Sequence, residues 1–249
     1  ALQGRDKVTL VITPEIQIFG TWLEQLLAES TGKEGRGLIP VENEPLGPPE
    51  VYDDDRFFVY IRRASEPESE QDEAMEAVRA SGHPIVRIEL EDQLSLGAEF
   101  FRWEMATAVA GAVLGVNPFD QPNVQESKAL TAELIESYDG GGELPADRPL
   151  LSEAGIQVFA DDRNAEALSE TSFPECIRRH LNRLGKGDYL ALCAYLDPVP
   201  ATLEVLQAIR LAIRNRTGVA TTLGFGPRYL HSTGQLHKRG PESGLFVMI

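Results

Sequence analysis

The clearest candidate for proton-transfer chemistry is a glutamate at the end of a predicted helix. Apolar residues at helical spacing predict a helix that starts near Thr13-Pro14 and ends near Gly32. Gln25 and Glu29 are four residues apart, so they share one face, opposite the apolar stripe. Glu29 falls in the last turn, where the negative end of the helix dipole disfavours its charge and so favours a role as a general base, whereas Lys33 acts in the opposite direction. A helix end that merely carries a glutamate is the alternative interpretation.

A second candidate pair lies in residues 117–128, which read Asn-Pro-Phe-Asp-Gln-Pro-Asn-Val-Gln-Glu-Ser-Lys. Gln121 and Lys128 are two helical turns apart, so they point the same way with about 10 Å of rise between them. Such a face suits a polar substrate, because glutamine exchanges hydrogen bonds with hydroxyl groups and lysine donates a proton. A solvated surface lysine is the alternative.

The first segment resembles the active-site motif of bacterial phosphoglucose isomerases. The matching residues are Trp22, Gln25, Leu26, Glu29, Ser30, Gly32 and Lys33. In that family the glutamate moves a proton between C1 and C2 of the open-chain sugar. The resemblance therefore implies that Glu29 is the catalytic base and that Gln25 binds the substrate.

The second segment resembles the other signature of the same family, an aromatic-Asp-Gln-x-x-Val-x-x-x-Lys pattern. The resemblance implies a substrate-binding Gln121 and a catalytic Lys128 that helps to open the sugar ring. The sequence departs from the signature at residues 123–125, which are Asn-Val-Gln where Gly-Val-Glu is usual. That departure affects the fine geometry expected of the site.

A third segment, residues 224–240, gathers basic side chains in an acidic chain. They are Arg228, His231, His237, Lys238 and Arg239. Glycines let such a loop approach a ligand closely, and a sugar phosphate is the anionic ligand that we expect. Arg228 and His231 are therefore predicted to bind substrate, with a surface or interface loop as the alternative. The segment is similar to one found in transaldolase–isomerase fusion proteins.

One residue of the family pattern is absent. Typical members carry a ring-opening histidine about two dozen residues after the glutamate, but residues 41–50 read Val-Glu-Asn-Glu-Pro-Leu-Gly-Pro-Pro-Glu. Either Lys128 alone opens the ring or another histidine takes over, and His231 is the candidate. His83, which precedes a proline at a strand start, is expected to be structural.

The composition excludes several classes of function. The 249 residues contain 39 Asp and Glu against 23 Lys and Arg, a net charge of -16 that argues against nucleic-acid binding. No apolar run approaches the ~20 residues of a membrane helix. Cys176 and Cys193 show no metal-binding spacing, and no secretory leader is evident. We expect a cytoplasmic protein without a metal or organic cofactor, since enediol chemistry needs only a base and proton donors.

Strands that alternate with helices predict an α/β fold with an open, mainly parallel sheet flanked by helices, followed by a second, smaller α/β domain. The resemblance assigns residues 1–138 to the second sugar-isomerase (SIS-like) domain of the family. The glycine run in residues 139–145 is interpreted as a linker. Residues 146–249 resemble the extension of the fusion proteins. The start at Ala1 and the apolar residues 244–249 indicate a fragment.

The resemblance implies that the parent protein interconverts glucose 6-phosphate and fructose 6-phosphate through a cis-enediol. That reaction belongs to glycolysis and gluconeogenesis, and a transaldolase fusion adds the pentose phosphate pathway. The expected partners are the N-terminal isomerase and transaldolase domains of the same chain, with homo-oligomerisation left open. Because the phosphate-binding loop of the family lies upstream, the fragment alone is expected to be inactive. The alternatives are a non-catalytic sugar-phosphate-binding module and an isomerase for another sugar, such as mannose 6-phosphate.

Overall fold

The computed structural model describes residues 4–65, 69–92, 94–120, 122–142, 148–168 and 172–249, without the side chains of residues 122–127. The chain forms two compact units, one of Ala1–Phe119 with Lys186–Ile249 and one of Asp120–Gly185. The strands of the first unit are β1 (Lys7–Ile12), β2 (Ile39–Val41), β3 (Arg56–Arg63), β4 (Ile85–Leu90), β7 (Tyr189–Ala194), β8 (Ala220–Phe225) and β9 (Gly244–Met248). Its helices are α1 (Ile18–Thr31), α2 (Glu70–Ala80), α3 (Ser95–Leu114), α7 (Pro200–Thr217) and α8 (Gly234–Arg239).

A four-stranded parallel sheet in the order β2-β1-β3-β4 forms the centre of the first unit. Every residue of β1 is buried, as expected for a continuous apolar run between two layers of helices. Leu10 faces a core that includes Leu23 of α1 and Trp103 of α3, whereas Val11 faces a core that includes Met75 of α2. The prediction of a mainly parallel sheet flanked by helices is confirmed.

A second parallel sheet, in the order β8-β7-β9, belongs to the same unit. One core cluster joins Ala28 of α1 and Val41 of β2 to Tyr189 of β7 and Leu236 of α8. Residues 186–249 thus complete a core that begins in the first helix of the chain. The compact units therefore do not follow the boundary expected at residues 139–145, and the assignment of residues 1–138 and 146–249 to family domains stays a prediction.

A buried charge network also connects the two sheets. An Arg56 guanidinium nitrogen donates to Glu44 Oε2 at 2.7 Å, and Thr221 Oγ1 donates to Glu44 Oε1 at 2.7 Å. The Arg214 guanidinium lies 3.6 Å from the same carboxylate. Burial alone would raise the pKa of Glu44, but the charges of Arg56 and Arg210 outweigh it and hold that pKa below its ordinary value. Glu44 is therefore a buried anion that several cations share.

The second unit contains α4 (Pro122–Asp139), β5 (Leu151–Glu153), β6 (Ile156–Val158), α5 (Asp162–Leu168) and α6 (Phe173–Leu181). Strands β5 and β6 form an antiparallel hairpin, in contrast to the parallel sheets of the first unit. Its two-residue turn, Ala154-Gly155, has φ of 49° and 82°, a left-handed pair that suits a tight hairpin. A parallel connection needs a far longer crossover, so this turn allows only the antiparallel arrangement.

Helix α3 is rich in apolar residues, but it buries only one stripe of its surface. One stripe of the helix, including Trp103 and Thr107, is buried, while Phe101 is 67% exposed and Val109 58% exposed. The helix packs with this one stripe, and α1 is its main helical neighbour. Among the described residues, no helix is both long enough and apolar enough to cross a membrane.

Candidate active site

Helix α1 presents Gln25 and Glu29 on one face, as the sequence predicts. Gln25 Nε2 donates a hydrogen bond to Glu29 Oε2 at 3.2 Å. The helix ends at Thr31, so Glu29 lies in its last turn. Gln25 is exposed and Glu29 is half-buried, whereas Leu27 on the opposite face is buried in the core. A carboxylate held in this way is accessible to a ligand and has a defined direction, which general-base catalysis requires.

Two hydrogen bonds connect the loop after α1 to the C-terminal end of α3 and the residues just after it. Lys33, only 3% exposed, donates through Nζ to the carbonyl oxygen of Asn117 at 2.7 Å. The Arg36 guanidinium donates to the carbonyl oxygen of Leu114. These contacts hold the loop after Glu29 against Leu114 and against Asn117, the first residue of the second candidate segment.

The second candidate pair is described only in part. Lys128 is exposed on α4, which belongs to the second unit. Gln121 lies outside the described residues, and the side chains of residues 123–125 do as well. The prediction that Gln121 and Lys128 share a substrate-binding face therefore stays a prediction.

The basic segment lies against α1. An Arg228 guanidinium nitrogen is 4.0 Å from Glu24 Oε1, and Leu236 of α8 packs next to Gly32. His231 is exposed in a 3-10 turn that precedes α8. The segment thus contacts the helix that carries Glu29, on the face of Glu24 and Gly32. The roles of Arg228 and His231 in binding substrate stay predictions.

His237, one of the basic side chains of this segment, packs among aromatic rings. Its ring lies 5.0 Å from the Phe246 ring and 6.1 Å from the Tyr229 ring. Burial lowers the pKa of His237 to about 4, because an apolar environment disfavours the charged imidazolium. The imidazole is therefore neutral near pH 7 and forms part of an aromatic core.

Sequence reasoning missed a pair of carboxyl groups, of which Glu24 is buried on the same helix and Glu42 is half-buried just after β2. Burial raises the pKa of Glu24, although a Ser232 hydrogen bond and the Arg228 charge oppose that change. Burial, and then the neighbouring charge of Glu24, raise the pKa of Glu42 to about 7. Thr21 Oγ1 donates to Glu42 Oε1 at 3.4 Å. Glu24 and Glu42 meet only in the tertiary structure, so no spacing in the sequence signals them.

The raised pKa of Glu42 makes the free energy of unfolding depend on pH. A carboxyl group whose pKa rises from 4.5 to about 7 on folding binds more protons in the folded state across that interval, so the free energy of unfolding falls as the pH rises through it. We expect Glu42→Gln to stabilise the protein at pH 8 by about 1–2 kcal/mol, after discounting for partial exposure, and to have little effect below pH 5. Urea unfolding of the wild type and of Glu42→Gln across this pH range measures how the free energy of unfolding of each protein changes with pH. The same substitution at exposed Glu50 should leave the slope unchanged, and parallel curves for the wild type and Glu42→Gln would contradict the assignment.

In the part of the chain that the structure describes, no three histidine, cysteine, aspartate or glutamate side chains are grouped as metal ligands would be. The site consists of a glutamate–glutamine pair on the helix that follows the first strand of an open parallel α/β sheet. The basic segment contacts another part of the same helix, where Glu24 is buried and Glu42 lies within hydrogen-bonding distance of Thr21. Side chains of these types can take part in acid–base chemistry.

Comparison with curated proteins finds glucose-6-phosphate isomerases. The chain is 30% identical over 171 residues to the glucose-6-phosphate isomerase of Rubrobacter xylanophilus, covering 53% of this chain and 39% of the relative. It is 28% identical over 159 residues to a probable glucose-6-phosphate isomerase of Halobacterium salinarum (50% and 37%), and 28% identical over 171 residues to one of Methanococcus maripaludis (54% and 38%). The chain thus spans about two fifths of the length of these relatives. No family model matches the chain.

Proposed function

We propose that this chain is part of a glucose-6-phosphate isomerase and supplies its catalytic base, Glu29. The observation that carries the proposal is the placement of Glu29 in the last turn of α1, with its carboxylate held by Gln25 at 3.2 Å. The similarity to proteins named glucose-6-phosphate isomerase supports the choice of reaction. The names of these relatives do not mention transaldolase, so the fusion remains a proposal based on the resemblance of residues 224–240.

The proposed reaction moves one proton between two carbons. The Glu29 carboxylate takes the proton from C2 of open-chain glucose 6-phosphate, and the C2–H electrons form the double bond of a cis-enediol as O1 gains a proton. The protonated glutamate then returns its proton to C1 while the O2 proton leaves, which gives fructose 6-phosphate. Gln25 orients the carboxylate, and Lys128 donates a proton to the ring oxygen during ring opening. No oxidant, metal or organic cofactor takes part in this scheme.

Binding of the substrate phosphate is assigned to the remainder of the parent protein. Binding energy from that remote group is what holds the reacting carbons against a base. We therefore propose the N-terminal isomerase domain, and a transaldolase domain in a fusion, as partners in a cytoplasmic protein. The chain by itself would orient no substrate, so we propose that it is inactive in isolation.

An isotope-exchange assay tests the proposal. The full-length protein is incubated in D2O with glucose 6-phosphate, fructose 6-phosphate or mannose 6-phosphate, and deuterium at C1 and C2 is followed by NMR. We expect exchange together with interconversion of the first two sugars. Binding of the sugar phosphates without exchange would favour the non-catalytic module, and preferred turnover of mannose 6-phosphate would change the substrate.

Lys128→Met should separate ring opening from proton transfer. If Lys128 opens the ring, turnover of the cyclic sugar should fall at least 10-fold more than turnover of an open-chain substrate, in line with the ~10²-fold contribution of general acid catalysis. Steady-state rates with both forms measure the ratio. Lys186→Met, at a lysine whose side chain is 71% exposed, is the matched control and should leave both rates unchanged. Equal losses on both forms would instead make Lys128 an electrostatic aid to the enediolate.

A further inference from the structure

Helix α8 holds the end of α1 and the loop that follows it, although about 200 residues separate them in the sequence. Gln235 Nε2 donates to the carbonyl oxygen of Gly32 at 3.2 Å. The Gly35 amide donates to the carbonyl oxygen of Arg239 at 3.0 Å. Leu236, which is 2% exposed, lies between these two bonds. These three contacts, from Gln235, Leu236 and Arg239 of α8, restrain the backbone immediately after the turn that carries Glu29.

The contact with α8 also bears on two glycines, Gly32 of the motif and Gly37 in the loop that follows it. Gly32 has φ of -75°, which any residue can adopt, so its backbone conformation does not require glycine. A Cβ atom at Gly32 would lie 2.5 Å from Leu236 Cα, and one at Gly37 would lie 2.9 Å from Leu236 Cδ1. The Cβ atom at Gly32 would also lie 2.6 Å from the carbonyl oxygen of Ala28, so α8 and α1 together leave no room for a side chain there. Gly37 has in addition a φ of 158°, which disfavours a side chain. The requirement for glycine after the Glu-Ser pair therefore comes in part from the far end of the sequence.

We infer that Gln235 is a positioning residue for Glu29, acting through the last turn of α1. The inference rests on the proposed function. Gly32 is the residue that caps α1, and its carbonyl oxygen lies beyond the last complete helical hydrogen bonds. An amide donor on that oxygen restrains the last turn, and Glu29 is three residues away within it. Without the donor the turn can fray, which would change the direction of the carboxylate without removing it.

The variant Gln235→Met removes the donor and keeps the length of the side chain. We expect kcat of the full-length protein to fall about 10-fold or more while KM changes less than twofold, because displacing a catalytic group by ~1 Å costs up to ~10²-fold in rate. Amide hydrogen exchange of residues 32–38 should become faster in the same variant. Gln207→Met is the matched control, since Gln207 Nε2 donates to the carbonyl oxygen of Asn43 at 3.0 Å in the same unit.

The outcomes separate this inference from the proposed function. Loss of kcat and faster exchange in Gln235→Met, with neither change in Gln207→Met, would support the inference. An active wild type with unchanged kcat in Gln235→Met, or equal losses in both variants, would overturn it alone. A wild-type protein that binds sugar phosphate without isomerising it would overturn the proposed function and the positioning role together.

Discussion

Glu29→Gln is expected to reduce isomerisation by the full-length protein at least ~10²-fold, the typical contribution of a general base. The amide has the shape of the carboxylate and can still bond to Gln25, but it cannot accept the proton from C2. Part of the Glu29 side chain is exposed, so the fold tolerates an amide of the same shape at this position. The fold should therefore be unchanged. Steady-state turnover and deuterium exchange at C2 measure the loss.

Glu34→Gln is the control for Glu29→Gln. Glu34 is exposed in the loop just after α1, so the substitution changes the charge near the site without changing the base. Its kcat should stay close to that of the wild type. Binding of a sugar phosphate to Glu29→Gln, followed by calorimetry, should also persist. Near-normal turnover in Glu29→Gln with the same substrate would remove Glu29 as the base.

Glu44→Gln should lower the free energy of unfolding by about 3–5 kcal/mol, because removing one partner of a buried ion pair leaves the others uncompensated. Arg56 and Arg210 are fully buried, and Arg214 is 2% exposed. Glu44 is the carboxylate that Arg56 and Arg214 contact directly. A neutral amide cannot balance these charges in a region of low dielectric. The loss of stability affects the first unit, which carries Glu29.

Tryptophan fluorescence during urea unfolding measures this effect. Both tryptophans of the chain, Trp22 and Trp103, belong to the first unit, so their emission reports on that unit. Glu76→Gln is the matched control, because it breaks the exposed Glu76–Arg79 pair on α2 by the same chemical change. Its unfolding midpoint should match that of the wild type. If Glu44→Gln behaves like Glu76→Gln, the network contributes nothing to stability.

The central sheet and the helix that carries Glu29 could be predicted because their signals are local. β1 is a continuous apolar run, and the periodic apolar stripe of α1 fixes which face carries Gln25 and Glu29. The Glu24–Glu42 pair could not be predicted, since each glutamate alone resembles a solvated side chain. The raised pKa values come from packing that no spacing encodes.

The sequence also did not show which segments belong to the same compact unit. A glycine run such as residues 139–145 indicates a local break in regular structure. Contacts between residues that are distant in sequence decide which segments share a core. The cluster that contains Ala28, Tyr189 and Leu236 is an example. The exposed outer face of α3 could not be predicted for a related reason. An apolar composition predicts that a helix is buried, but the sequence of the helix does not show which neighbouring elements would cover it.

The core shared by both ends of the chain determines when the helix that carries Glu29 can become stable during synthesis. Arg56 donates to the carbonyl oxygen of Val219, and Arg210 to that of Glu42, so these bonds span about 165 residues. Residues 1–119 therefore cannot complete their core while the ribosome is still translating residues 120–185. Such non-local closure slows folding and leaves apolar surface uncovered in the meantime. Core residues such as Ala28 and Val41 thus stay without part of their packing on the nascent chain until residues 186–249 have emerged.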